Sequence, residues 1–434
     1  MDFIMEINEK LLNYLLKQAK IDSIDEVSDN IDFMTDKQIL DKHPYAITIN
    51  KDGRASTYVL IDATNETDKP KRKKLVKATE EELNKAIVKF YREREKQKQE
   101  KKLCLKDFYP EWLSYKALHT NSSAYIKTID ELWHRYYKND SIITIPLVDL
   151  DEYTLDTWAH TLIKKHTMTK KQYYNMAIII RQSLELAVIR HIISESPFRN
   201  IKIDAKLFRK VPKKPDETQV YLIDEQPLIE QEAYNDFFVT GNTACLAIPL
   251  AFQTGLRLSE ITTLKFSDIN EEKENCIHIQ RMETKEYKLL PDGTWSKPVR
   301  VVVDRTKSIA GTRNVYLTTK AREIIELIRQ RNLECGYNTS GYIFLNSRGR
   351  ITASALDCRL RKYCNNINIS AKSMHKIRKT YISTLIDSEN ININYIREQC
   401  GHEDERTTYG NYCFNRKNKV QTAEEMEKAL VRSS

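Results

Sequence analysis

At 434 residues with 41% apolar side chains, the chain is too long for one compact core and can furnish two or three. Seventy Lys and Arg against 61 Asp and Glu leave a net charge of +9, which permits a polyanionic partner without requiring one. No run approaches the roughly 18 apolar residues of a membrane span, and the N-terminus lacks the features of a secretory signal. The eight cysteines are scattered with no C-x-x-C pair, which speaks against a disulfide framework or a zinc site and for reduced thiols in a cytoplasm.

Residues 1–40 read as a helical N-terminal extension, a helix or two interrupted near Ile21-Asp22-Ser23 and Met34-Thr35-Asp36. Tyr45, Ile47 and Ile49 then alternate with smaller residues, Asn50-Lys51-Asp52-Gly53 supplies turn chemistry, and Thr57–Ile61 follows as a second strand. A basic patch, Lys69-Pro70-Lys71-Arg72-Lys73-Lys74, precedes Thr79-Glu80-Glu81-Glu82, a capping box that opens a helix running to about Lys102. Residues 41–102 therefore form a small strand–strand–helix module. Residues 104–205 are helical throughout, with Trp112, Tyr115 and Leu118, then Tyr125, Ile129, Leu132, Trp133 and Tyr136, at three- and four-residue steps that suit a bundle core. At 206–217, Arg209-Lys210-Val211-Pro212-Lys213-Lys214-Pro215 has the composition of an extended basic linker. The rest, 218–434, begins and ends helical around a β-rich middle. Its expected strands are Cys276–Ile279, Val299–Val303 and Asn314–Leu317, with Asp292-Gly293 turning between the first two.

Four segments of this last domain carry chemistry. Arg257 follows Gly255 at a helix start, where its planar fork can take a phosphate and Glu260 can hold it, although an Arg–Glu pair is also ordinary surface structure. Lys307 sits on a turn between strands, where lysines are usually just solvated. His375 and Arg378 stand three residues apart on one helix face. In Gly401-His402 through Thr407-Thr408 to Tyr412, a Gly-His turn leads into a helix started by the threonines, from which the tyrosine projects. Each fragment is weak alone; their order over some 155 residues is specific.

With T-G-L-R-x-S-E, T-K-S, H-x-x-R and G-H followed by T-T-x-x-x-Y, the C-terminal half resembles the tyrosine site-specific recombinases. It is most similar to integrases of conjugative transposons and phages of Gram-positive bacteria. The resemblance implies a multidomain, mainly α fold: a helical core-binding domain, a mixed α/β catalytic domain (218–434), and a small α+β module at 41–102 that looks like an arm-DNA-binding domain. It also implies a DNA strand transferase that integrates and excises a mobile element through a 3′-phosphotyrosyl intermediate. Arg257 and Arg378 fall at the two catalytic arginines, Lys307 at the hairpin lysine, His375 and His402 at the two histidines, and Tyr412 at the nucleophile. Arg305 or Lys297 could take the place of Lys307, and Tyr409 is the rival nucleophile. Cys400 stands where Leu usually precedes Gly-His.

No metal and no cofactor are implied. Lys71, Arg72, Lys73 and Lys74, with Arg209, Lys210, Lys213 and Lys214, are the expected DNA contacts outside the site. The implied partners are duplex DNA and further copies of the chain, as a tetramer through a C-terminal helix bearing Ala423, Met426 and Leu430. An accessory protein for excision is also implied, and no membrane. A non-catalytic DNA-binding protein of the same fold and a type IB topoisomerase-like enzyme are the alternatives.

Overall fold

The computed structural model describes residues 35–61, 71–270, 275–337, 341–388 and 390–431. The helices expected in 1–40 lie outside the described residues, apart from a helical stretch over 35–41. The chain divides into two compact units, one of residues 1–115 and 132–209, the other of 116–131 and 210–434. Among the described residues no helix is long and apolar enough to cross a membrane.

The first unit begins with a three-stranded antiparallel sheet, β1 (Thr48–Ile49), β2 (Ala55–Ile61) and β3 (Lys71–Lys77), in that order. Two strands were expected, and the third is built from the basic patch itself. Four consecutive cations have little β propensity and show no alternation. Their strand exists because β2 pairs with them residue for residue, Tyr58 with Lys74 and Leu60 with Arg72. Helix α1 (Glu80–Lys102) is capped by Thr79, whose hydroxyl accepts from Glu82 N–H. Its Leu83 and Ile87 bury against Ala55 and Leu75 of the sheet. By the two-residue alternation of strands, the other face presents Tyr58, Arg72, Lys74 and Val76.

Helices α2 (Leu105–Leu118), α3 (Ser123–Tyr136), α4 (Glu152–His166) and α5 (Lys170–Ile189) follow. Within the first unit Tyr109 stacks on Trp133 at 3.8 Å, Trp133 stacks on Tyr137, and the Tyr137 hydroxyl donates to Met176 O. The aromatic stripe read from the sequence is thus packed core at Trp112, Ile129 and Trp133, whereas Tyr115 and Tyr125 are exposed.

In the second unit, helices α6 (Glu225–Thr240) and α7 (Ala247–Thr254) lead to the one-turn helix α8 (Leu258–Ile261). Every α7 residue but Gln253 is buried, so it forms the hub of the core. Strands β4 (Ile269–Asn270), β5 (Cys276–Ile279) and β8 (Arg313–Tyr316) form one sheet; β6 (Met282–Glu286) and β7 (Val299–Val303) form a separate antiparallel hairpin. This corrects the expected pairing of Cys276–Ile279 with Val299–Val303. β5 is buried on both faces and pairs with β8, while the unforeseen strand Met282–Glu286 takes the partner role because it is nearer the Asp292-Gly293 turn. The hairpin tip is held within its own unit by Trp295 Nε1 donating to Asp130 and by Tyr287 N–H donating to Ser123. Helix α9 (Thr319–Glu334), the short strands β9 (Leu345–Asn346) and β10 (Gly349–Arg350), then helices α10 (Ala353–Asn366), α11 (Met374–Asp387), α12 (Ile393–Cys400), α13 (Glu405–Tyr412) and α14 (Lys419–Val431) complete the unit.

Candidate active site

Arg257 is placed by Gly255, which ends α7 at φ +59°. A Cβ there would meet the Tyr381 ring at 2.1 Å, so the chain turns at this point only with glycine. Arg257 then caps α8, and its guanidinium donates to Glu260 Oε1 at 2.7 Å and to Gly401 O at 2.9 Å. Glu260 is buried and holds a second arginine, Arg313, at 3.0 Å and 3.2 Å. Burial alone would raise the Glu260 carboxyl, but Arg313 and Arg257 hold it down at about 2. Arg313 in turn donates to the carbonyls of Gln399 and Gly311. Glu260 was expected beside Arg257 from their spacing; Arg313, a lone arginine in a strand, carried no such signal.

Helix α11 brings His375 and Arg378. Arg378 is buried, 1% exposed, and donates to Gly255 O, Cys400 O and His402 Nε2, while its Nε–H has no partner among the described residues. Since arginine can only donate, His402 Nε2 must accept, and the other ring nitrogen, 3.0 Å from the Thr408 hydroxyl, carries the proton. Burial, Arg378 and Arg257 push His402 down to about 3, so it is neutral at pH 7. As placed, His402 faces Arg378 through Nε2 and Thr408 through Nδ1. His375 is pushed down to about 4 by partial burial and by Arg378, Lys379 and Lys376, and is likewise neutral at pH 7.

Tyr412 ends α13 and is 9% exposed. Its ring lies 4.7 Å from that of His402 and 5.9 Å from that of His375, centroid to centroid, with the Arg378 and Lys379 cations 6.0 Å from its centre. Its carbonyl accepts from the Ser383 hydroxyl of α11 at 2.6 Å, and Ser383 Oγ in turn accepts from Phe414 N–H. The cap of α13 is Asp404, which accepts from Arg406 N–H; the helix starts earlier than Thr407-Thr408, because Asp404 already supplies the side-chain acceptor.

Arg257, Lys307, His375, His402 and Tyr412 all line one cleft of about 940 Å³. Arg305 and Lys297 are exposed and do not line it, and neither does Tyr409, 53% exposed. Of the basic patches, Lys71, Arg72, Lys73 and Lys74 are exposed on β3, and Arg209 Nε donates to Thr167 O. Lys213 pairs with Asp216 and Lys214 adds to the cationic surroundings of Lys376. Among the described residues no group of His, Cys, Asp and Glu could hold a metal ion.

Comparisons with known proteins agree with this geometry. Residues 240–419 match the phage integrase family model, a span that holds all six residues of the expected set. A tyrosine recombinase XerC-like protein of Caldanaerobacter subterraneus subsp. tengcongensis is 22% identical over 315 residues, 70% of this chain and 77% of that protein. In fold the chain is similar to the Tn1549 transposon integrase solved in complex with a circular intermediate DNA. That match has TM-score 0.54 and 16% identity, and covers 75% of this chain and 99% of the other. The same integrase in complex with transposon right end DNA matches with TM-score 0.52 at 18% identity over the same shares.

Proposed function

We propose that this chain, which belongs to the tyrosine recombinase and integrase family and is a site-specific DNA recombinase, uses Tyr412 as its nucleophile to move a mobile element. The observation that carries the assignment is the Tyr412 ring set beside His402, His375 and Arg378 in the cleft that Arg257 lines.

The chemistry follows from these groups. The Tyr412 hydroxyl attacks a backbone phosphorus, the P–O5′ bond breaks, and a 3′-phosphotyrosyl link and a free 5′ hydroxyl result. The Tyr412 phenol must lose its proton in the attack; neutral His375 accepts it and Lys307 protonates the departing oxygen. The five-coordinate phosphorus gathers negative charge on its non-bridging oxygens, which Arg257 meets from the cleft wall while the buried Arg378 adds positive charge behind it; a donor already held in place is worth roughly 2.7–4 kcal/mol in comparable oxyanion sites. Attack by a 5′ hydroxyl on the link reverses the steps and rejoins DNA with no consumption of phosphoanhydride.

The complexed Tn1549 integrase supports duplex DNA as partner. The exposed β3 cations and the Arg209–Lys214 stretch are proposed phosphate contacts, and the 41–102 module a second DNA-binding element. Helix α14 has no buried residue and exposes Val420, Met426, Leu430 and Val431, which supports docking on another copy within a tetramer. An accessory protein for excision and a cytoplasmic location complete the proposal.

A duplex nicked beside the cleavage site tests it, because the short fragment diffuses away and traps the adduct. Wild type should form a protein–DNA adduct stable to detergent, and Tyr412→Phe should bind equally and form none. An adduct that persists in Tyr412→Phe overturns the nucleophile; adducts that relax supercoils without exchanging strands favour a topoisomerase.

A further inference from the structure

The wall of the cleft is built from two arrangements of the same kind. In one, Glu260, its side chain 2% exposed, lies between Arg313, 5% exposed, and Arg257, 22% exposed. In the other, Glu283 of β6, also 2% exposed, lies between Arg350 of β10, 16% exposed, and Arg300 of β7, 23% exposed. The parallel extends to the partners. Each inner arginine is anchored to backbone: Arg313 to the carbonyls of Gln399 and Gly311, Arg350 to those of Thr262 and Ile351. Each outer arginine lines the cleft and is held at one end by its carboxylate, at 2.7 Å for Arg257 and 2.6 Å for Arg300, and at the other by an oxygen, Gly401 O or the Ser354 hydroxyl.

Each trio has two guanidiniums and one carboxylate, so each has a net charge of +1. The buried glutamate fixes the forks without neutralising both. Of five guanidinium N–H groups, Arg300 donates one to Glu283 and one to Ser354. Among the described residues no bond to the others is seen, and Arg300 lines the cleft. Two further cations, Lys285 and Lys307, line the same cleft. Asp357, an acid on that wall, accepts from Met374 N–H and so is engaged at the start of α11. A fork so placed fits a phosphate oxygen pair better than it fits a base edge, which would need a longer reach and a free planar approach.

We infer that Arg300 is a second phosphate-binding arginine of the cleft, positioned by Glu283 and Ser354 to grip a DNA phosphate next to the one Tyr412 attacks. The inference rests on the recombinase reading of the cleft. Gripping a neighbouring phosphate fixes the scissile phosphorus relative to Tyr412 from two points of the backbone, which a single contact cannot do. It requires no group beyond those on the cleft wall.

The test compares wild type, Arg300→Gln and Arg300→Lys on duplexes in which single phosphates around the cleavage site are replaced by neutral methylphosphonates. Equilibrium binding is measured over a salt series. Wild type should lose about tenfold or more in affinity when one particular flanking phosphate is neutral. Arg300→Gln should bind the unmodified duplex about as weakly, with a salt slope shallower by about 0.9, and should be insensitive to neutralisation at that position. Arg300→Lys should recover the slope but not the full affinity, because it keeps the charge and loses the fork. Arg350 still pairs with Glu283 in these variants, and thermal unfolding establishes that they are folded. If Arg300→Gln responds to every methylphosphonate as wild type does, or binds with unchanged affinity and slope, the inference is overturned. Binding reads Arg300 independently of adduct formation. A wild type that binds but never forms the Tyr412 adduct therefore overturns the recombinase chemistry instead.

Discussion

Removing the Glu260 charge would leave Arg257 and Arg313 facing each other without the carboxylate they share. Breaking a buried pair of this kind costs about 3–5 kcal/mol, so Glu260→Gln is expected to lower the unfolding midpoint clearly and to reduce adduct formation more than DNA binding, as read by denaturant titration and gel-shift. His402 supplies a pH dependence. Its ordinary pKa of 6.5 falls to about 3 in the folded chain, chiefly by burial and then by Arg378. The unfolded chain therefore takes up this proton first as pH falls. Stability is complete above 6.5 and is lost as pH drops from there toward 3. Between pH 7.5 and pH 5 the loss from this one group is about 2 kcal/mol. His402→Gln should flatten that part of the stability–pH curve, and a curve of unchanged slope would refute the assignment of the buried neutral ring.

The two glycine turns that frame the site act at the level of elements. Gly401 ends α12 at φ +61°, and a Cβ there would lie 2.6 Å from Ala310 O. Its own carbonyl is the one Arg257 holds. Gly401→Ala should therefore destabilise the second unit by more than the 0.5–1 kcal/mol range, roughly, of an ordinary glycine effect, and should slow cleavage as well. Asp404→Ala removes the cap of α13, and a loss of about 1 kcal/mol should appear as faster hydrogen exchange confined to 405–412. What the sequence disclosed follows the same division. Gly255 and Gly401 were legible because only glycine suits their turns, and each fixes a neighbour, Arg257 or His402, within two residues. The helix from Glu80 was legible because its cap is local. The strand Lys71–Lys77 was not, since its reason for existing lies on β2, nor was Met282–Glu286 as the partner of β7. Arg313 and Arg300 were hidden for the same reason: their glutamates are 53 and 17 residues away, and nothing near either arginine marks it.

At the scale of the whole molecule, charge and the C-terminal helix have separable consequences. The net charge of +9 is spread over both units, so DNA affinity should fall steeply and log-linearly with salt, as counterion release requires. Helix α14 is tied at its start, where Asn418 and Gln421 donate to Asp224, and beyond that it exposes Met426, Leu430 and Val431. A chain ending at Thr422 keeps the tie and loses the apolar turns. It is expected to unfold at nearly the same temperature and to bind a single DNA site normally. In native gels it should lose the larger complexes that hold several copies, and an unchanged ladder of complexes would refute docking through α14.

The Ser383 hydroxyl, which donates to Tyr412 O and accepts from Phe414 N–H, has a mechanical consequence. In the proposed reaction DNA becomes covalently attached to Tyr412, and any tension in the strand would then reach the protein through that residue's backbone. With both sides of Tyr412 stitched to Ser383, the tension passes directly into α11, the helix that also carries His375 and Arg378. Force on the DNA would then drag nucleophile, base and arginine together and leave their spacing intact, much as a clamp bolted to its own anvil keeps its gap when the workpiece is pulled. Ser383→Ala should leave cleavage of relaxed DNA nearly unchanged, yet make religation fail at lower tension in an optical trap.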